Sequence, residues 1–277
     1  MAAFALMALA LAACTTAKDI AVAPAPLPAY TSAKYAAIVV DGNTGSVLYE
    51  QSSDAIRHPA SLTKMMTLYM LFEAMQEGRL SRTSEIPVSD HARSRPPTKI
   101  GFRRGETIDV DTAIKALVTK SANDVAAAVG EYLGGTEAGF AAMMTAKARS
   151  IGMRSTVFRN ASGLPDPAQV TTARDMALLG LTLRRRFPEY FHYFSTTSFV
   201  YRGRTIRGHN DLIGSVYGVD GIKTGYIRAS GFNVVTSVSR GNRRLVAVVM
   251  GGETARARNA SMAALIERFM PSDVAGL

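Results

Sequence analysis

Residues 221–252 read GIKTGYIRASGFNVVTSVSRGNRRLVAVVMGG, and this stretch decides the fold. Three apolar, β-branched runs at 221–226, 231–240 and 243–252 are broken by glycine and by the polar turn Arg240-Gly241-Asn242, a pattern of successive antiparallel strands. A matching signal lies near the other end of the chain. YAAIVV at 35–40 and SVLYEQ at 46–51 flank DGNTG at 41–45 and predict a hairpin. Between these blocks the periodicity is helical. Residues 61–77 carry Leu62, Met65, Met66, Tyr69 and Phe72 at three- and four-residue steps, and similar steps run through 110–118, 124–133, 138–151 and 172–183. A last helix is expected over 255–269. Strands at both ends with helices between them predict an α+β domain: one central antiparallel sheet closed by N- and C-terminal strands, flanked by helices and carrying an inserted helical region.

Composition narrows the function. The 277 residues are 47% hydrophobic and 19% charged, enough to bury a real core, which excludes disorder or a coiled coil for the whole chain. A single cysteine, Cys14, excludes an internal disulfide framework and any cysteine-clustered metal site. The net charge of +10 arises from 32 basic and 22 acidic residues, and the 32 divide into 8 Lys and 24 Arg. Such a balance suits nucleic acid, an anionic membrane or an acidic polymer, although scattered arginine that merely solvates the surface is the plainer account.

Residues 1–14, MAAFALMALALAAC, hold no charge and have the apolar length of a signal-peptide core but not of a membrane span. Their end, Leu11-Ala12-Ala13-Cys14, resembles a bacterial lipobox, in which the cysteine thiol is lipidated. No positive segment precedes it. Residues 15–34 are Pro- and Ala-rich and read as a tether. The expected division is therefore a signal at 1–14, a tether at 15–34 and one domain at 35–277.

Three short patterns carry chemistry. Ser61-Leu62-Thr63-Lys64 opens the first helix, where backbone N–H groups favour developing negative charge, and Lys64 lies one turn on, within reach of the hydroxyl. In isolation Ser61 is an ordinary helix cap. Ser121-Ala122-Asn123 offers a hydroxyl and an amide between two helices, or merely a second cap. Lys223-Thr224-Gly225 lies on an apolar strand, where Lys and Thr can hold a carboxylate and Gly lets a substrate backbone approach, or where Lys simply protects a sheet edge. In a chain with three Arg for every Lys, lysine at 64 and 223 is informative, because a guanidinium cannot be deprotonated. Two ammonium groups brought close also disfavour each other's charge, which lowers the Lys64 pKa toward that of a base and lets Lys223 stay cationic.

Together the patterns are specific. Ser-x-x-Lys, Ser-x-Asn and Lys-Thr-Gly occur once each, in that order, 60 and 102 residues apart. This resembles the penicillin-interacting serine enzymes, and within them the low-molecular-weight D-alanyl-D-alanine carboxypeptidases, whose segments HPASLTKMMT (58–67), KSANDVAAAVGEY (120–132), FRNASGLPDP (158–167), TTARDMALL (171–179) and VDGIKTGY (219–226) are similar to. The resemblance spans about 35–269 and implies the β-lactamase/transpeptidase-like fold. It implies a serine-type carboxypeptidase that removes the terminal D-Ala of peptidoglycan stem pentapeptides through a Ser61 acyl-enzyme. Lys64 would take the proton, although which group is the base is disputed across the superfamily. Ser121 would relay a proton to the leaving nitrogen, Asn123 would orient the substrate amide, and Lys223 and Thr224 would bind the terminal carboxylate, with Gly225 beside the substrate backbone. The backbone amides of Ser61 and Tyr226 would form the oxyanion hole. Tyr226 stands where relatives often have His. Many relatives also place an Arg before an Asn upstream, where this chain reads Arg207-Gly208-His209-Asn210, so His209 or a shifted Arg207 takes that role.

The resemblance further implies β-lactams as covalent inhibitors, an exported and periplasmic location with an N-terminal lipid anchor at Cys14, and no nucleic acid partner. The stretch after the third motif leaves no room for the C-terminal β domain of many relatives, so the lipid is expected to replace their anchor. No cofactor or metal is expected: His58, His91 and His192 lack partners at ligand spacing. Met65, Met66, Met143 and Met144 read as core. Three other readings remain open: a DD-endopeptidase acting on cross-links, a weak β-lactamase, which lacks the expected Glu-x-x-x-Asn, and a wall-binding protein without activity.

Overall fold

The structure is a computed structural model and describes residues 32–272. The expected signal segment, Cys14 and residues 15–31 of the tether lie outside the described residues. The hairpin forms as expected from β1 (Ala36–Asp41) and β2 (Val47–Gln51), and its turn is fixed by Asp41, whose Oδ1 accepts the Asn43 and Thr44 amides at 2.9 and 2.8 Å. The C-terminal block gives β7 (Val219–Ile227), β8 (Gly231–Arg240) and β9 (Arg243–Gly252). These five strands form one antiparallel sheet in the order β2-β1-β9-β8-β7, so the first strand pairs with the last, Val39 opposite Ala247. The sheet is thereby closed by both chain ends, as the sequence predicts, and β7 is left at an edge.

Both faces of the sheet are covered, which is why its central strands read as continuous apolar runs. Ile38, Val40, Val246 and Val248 point into a large core shared with α1 (Lys64–Gln76), α3 (Val110–Val118), α4 (Asn123–Gly134), α5 (Glu137–Ser150) and α6 (Ala173–Arg186). Val39, Leu245, Ala247 and Val249 point the other way, onto α7 (Ala255–Phe269). Four of the later helices begin on a side-chain cap, Asp109, Thr136, Thr172 and Thr254, each accepting an amide three residues on.

Helix α1 forms where the spacing predicts a helix and is buried on every side, from Lys64 to Met75, as a central helix. The structure differs from the sequence reading in two ways. The short pairs β3 (Glu85–Pro87) with β4 (Thr107–Asp109) and β5 (Ser198–Tyr201) with β6 (Arg204–Arg207), and the five-residue α2 (Asp90–Ser94), were not foreseen; they are too short to show a period. Met143 is 43% exposed, on the solvent side of α5, whereas Met65, Met66 and Met144 are core.

Candidate active site

The three patterns meet in one cleft of about 520 Å³, lined by Ser61, Ser121, Asn123, His209, Lys223, Thr224, Gly225 and Tyr226 among others. Ser61 sits in a 3-10 turn (Ala60–Thr63) that runs directly into α1, and Lys64 is the first residue of that helix. Ser121 and Asn123 bracket the start of α4, and Lys223 to Tyr226 lie on the edge strand β7.

The plain alternatives to a catalytic role fail here. Neither serine is a cap: the turn and α1 start at Pro59 and Thr63 with no side-chain cap bond, and the cap of α4 is Ala122. The Ser121 hydroxyl is buried without a hydrogen-bond partner among the described residues, a costly arrangement that structures otherwise avoid. Lys223 is no edge guard, being 2% exposed. Ala60 and Ser121, both non-glycine, have φ of 49° and 58°; left-handed backbone at these two points is strain held next to Ser61 and within the Ser121-Ala122-Asn123 pattern.

Lys64 is fully buried and its Nζ makes three contacts: Asn123 Oδ1 at 2.7 Å, the Ser162 carbonyl at 2.6 Å and Ser61 Oγ at 3.4 Å. A neutral amine has two N–H bonds and one lone pair. With both N–H bonds spent on the two strong acceptors, the lone pair is left for the Ser61 hydroxyl, the geometry of a base awaiting a proton. Burial pushes the Lys64 amine well below its usual range, the Lys223 charge pushes it further, and Asp124 and Glu137 oppose. The direction is the one expected from the sequence, but burial leads and the paired ammonium comes second. Lys223 also departs from expectation. Burial, and then the Arg258 charge, bring it down to about 7, so it is only partly charged near neutrality.

Glycine makes the close approaches possible. A Cβ on Gly163, whose φ is +85°, would lie 1.8 Å from the Ala60 carbonyl, and one on Gly225 would lie 3.0 Å from the Ser61 amide. Loop 160–163 therefore runs against the Ser61 turn from one side and β7 from the other, bringing the backbone of Tyr226, one residue past Gly225, beside that of Ser61. The Tyr226 side chain points outward, 53% exposed, and packs on Phe232 with ring centroids 4.3 Å apart. Its chemistry is therefore not needed at the centre of the cleft.

Two residues escaped the sequence reading. Arg258, from α7, lines the cleft, is 3% exposed and donates to the Asn233 carbonyl at 2.7 Å and to Asn259 Oδ1 at 2.8 Å. Burial brings its pKa down to about 10. Asn233, buried in β8, donates from Nδ2 to the His58 carbonyl at 3.3 Å and accepts the Gly251 amide, which ties the segment before Ser61 to the sheet. Neither belongs to a short pattern, and both act through distances the sequence does not encode. Of the two candidates left open upstream, His209 lines the cleft, whereas Arg207 does not and lines a neighbouring cavity of about 300 Å³. Burial first, then Lys223 and Lys120, lower the His209 pKa, so it offers a neutral donor and not a charge. No Asp or Glu among the described residues lines the cleft. A pocket with Lys223 and Arg258 at one end and no carboxylate favours an anionic ligand group.

The chain is similar to proteins of known family and structure. A family profile described as D-alanyl-D-alanine carboxypeptidase matches residues 21–254. The chain is 34% identical over 236 residues to the D-alanyl-D-alanine carboxypeptidase DacA of Escherichia coli, covering 83% of this chain and 59% of that one, so it spans about three fifths of that relative's length. Among solved structures, the D-alanyl-D-alanine carboxypeptidase DacD of Francisella tularensis is similar with a TM-score of 0.85 and 28% identity, over 91% of this chain and 73% of that one. A penicillin-binding protein of Listeria monocytogenes in its ampicillin-bound form gives 0.77 and 32%, over 84% and 96%.

Proposed function

The chain belongs to the D-alanyl-D-alanine carboxypeptidase family, and from that premise we propose that it is a serine hydrolase releasing the terminal D-Ala of peptidoglycan stem pentapeptides. The observation that carries the reading is the buried Lys64 amine, held by Asn123 and Ser162 and 3.4 Å from Ser61 Oγ. Ser61 attacks the carbonyl of the penultimate D-Ala and Lys64 takes its proton. The amides of Ser61 and Tyr226 receive the developing oxyanion, the largest single contribution in such sites. Ser121, whose hydroxyl has no other partner, passes a proton to the departing nitrogen. Asn123 uses one Nδ2 hydrogen on the Pro96 carbonyl at 3.0 Å, which leaves the other for the substrate amide. Lys223, Thr224 and Arg258 take the terminal carboxylate, with His209 as an added neutral donor. Gly225 leaves room for the substrate backbone beside the edge strand.

Once the proton has passed to the departed D-Ala nitrogen, Lys64 is again a neutral amine and takes a proton from the water that hydrolyses the Ser61 ester, which frees the shortened peptide. No carboxylate lines the cleft to serve as the glutamate base of a β-lactamase, and the leaving nitrogen of an opened β-lactam stays tethered in the site, so β-lactams act as inhibitors and β-lactamase activity is weak. The family match and relative also favour the carboxypeptidase over the endopeptidase. Mass spectrometry of a stem pentapeptide and of a cross-linked dimer after incubation tests this. Loss of one D-Ala from the pentapeptide with the cross-link intact is expected, and a cleaved cross-link with an intact pentapeptide would overturn the assignment.

The same reading places the protein outside the cytoplasm, lipidated at Cys14. It is supported by the uncharged stretch 1–14 and the small residues before the cysteine, and no helix among the described residues is long and apolar enough to cross a membrane. Metabolic labelling with a fatty-acid probe should mark the wild type and not Cys14→Ser; equal labelling of both would remove Cys14 as the acceptor.

A further inference from the structure

Glu137 opens α5 and is 8% exposed, yet it does not line the cleft. It borders another cavity, of about 680 Å³, with His91, Arg95, Glu131 and Arg159. Glu137 Oε1 accepts the Ala161 amide at 3.1 Å, while Oε2 lies 3.7 Å from both His91 Nε2 and Arg95 Nη1. Glu131 holds His91 from the other side, 2.6 Å from Nδ1. The carboxylate is thus fixed by the Ala161 amide of loop 160–163, by His91 of α2, itself held by Glu131 of α4, and by Arg95 just after α2.

The chain of bonds then continues toward the cleft. The Ala161 carbonyl accepts Thr67 Oγ1 of α1 at 2.6 Å, and the next carbonyl, that of Ser162, is the one that accepts Lys64 Nζ. Asn160 Oδ1 accepts the Ser162 and Gly163 amides at 3.2 and 2.7 Å and so keeps the loop in one shape. Without the Glu137 carboxylate the Ala161 amide would be buried and unpaired, and the carbonyl pair would lose its outer support.

We propose that Glu137 is a positioning residue: by holding the Ala161 amide it fixes the loop whose Ser162 carbonyl aims the Lys64 amine at Ser61, and it places a negative charge behind that amine. The inference rests on the reading of Lys64 as proton acceptor. Its charge acts with that of Asp124 from α4 and against that of Lys223 from β7. A carboxylate here favours the protonated amine, so removing its charge makes Lys64 lose its proton at lower pH.

The test measures acylation of the full chain by fluorescent penicillin across the neutral pH range, with Ser61→Ala as blank. Glu137→Gln keeps an acceptor for the Ala161 amide and drops the charge. Its maximal rate should stay within about threefold of wild type while the acid limb moves to lower pH. Glu137→Ala also loses the acceptor, and its maximal rate should fall about tenfold to a hundredfold. An unmoved acid limb in Glu137→Gln, or a wild-type rate in Glu137→Ala, overturns the proposal. Should Glu137→Ala fail to fold, the limb of Glu137→Gln decides alone. A wild type that labels no better than Ser61→Ala would overturn the acyl-enzyme reading and this inference with it; labelled wild type with unmoved variants overturns the inference alone.

Discussion

The Ser61→Ala protein is expected to form no covalent adduct with fluorescent penicillin and to release D-Ala about 10⁴-fold more slowly than wild type, or slower still. The loss should be that large because the hydroxyl forms the ester, and among the described residues it is the Ser61 hydroxyl that the depressed Lys64 amine contacts. It should also be clean. Ser61 is only partly buried and its Oγ has a single long contact, 3.4 Å to Lys64, whose two strong bonds go elsewhere. Removing one such oxygen changes folding stability by about 0.5 kcal/mol or less, so thermal melting should match wild type while labelling disappears. Ser61→Ala labelled at the wild-type rate would move the nucleophile to another residue, and Ser121, with its buried and unpartnered hydroxyl, would be the one to test.

Most of the sheet was legible because its strands are long and buried on both faces, and runs such as those of β8 and β9 can hardly be anything else. The hairpin at 35–51 was legible through Asp41, whose side chain dictates the turn. The pairing of β1 with β9, which makes the sheet, followed only from the placement of strands at both ends of the chain. The site was legible in part. Ser61, Lys64, Ser121, Asn123 and Lys223 fall in fixed-spacing patterns, since each pattern is a run of three or four consecutive residues whose local turn or strand sets the spacing. Arg258, Asn233 and Glu137 did not. Each meets the site from another part of the chain: α7 folds back under β8, and α5 reaches loop 160–163 only because the helical region packs on the sheet. Electrostatics was half legible. That two lysines would depress one another could be argued from the motifs; that burial would outweigh their repulsion, and bring Lys223 itself to about 7, needed exposures that only the fold supplies.

Replacing Lys64 by Arg should reduce acylation about 10³-fold or more, within the range lost when a positioned general base is removed. A guanidinium can still donate to Asn123 Oδ1 and to the Ser162 carbonyl, so the contacts that hold the helix start remain. What it cannot do is accept the proton of Ser61, because it stays protonated at any working pH. Charge alone thus does not separate the two residues; the availability of a lone pair does. The wild-type pH profile should carry the same signature. At low pH Lys64 is protonated, so the second-order acylation rate rises as pH passes its depressed pKa. At higher pH Lys223 loses its proton near about 7, the carboxylate loses its partner, and the rate falls. The profile of the free protein is therefore a bell. Under saturating peptide the bound carboxylate stabilises charged Lys223, which moves the alkaline limb of kcat to higher pH while the acid limb stays. Lys64→Arg should lose the acid limb altogether, since no group at that position then titrates. A Lys64→Arg protein that acylates within tenfold of wild type, or that keeps the wild-type acid limb, would assign that limb and the base to a different group, and the short distances around Lys64 Nζ would then describe a buried cation holding loop 160–163 and nothing more.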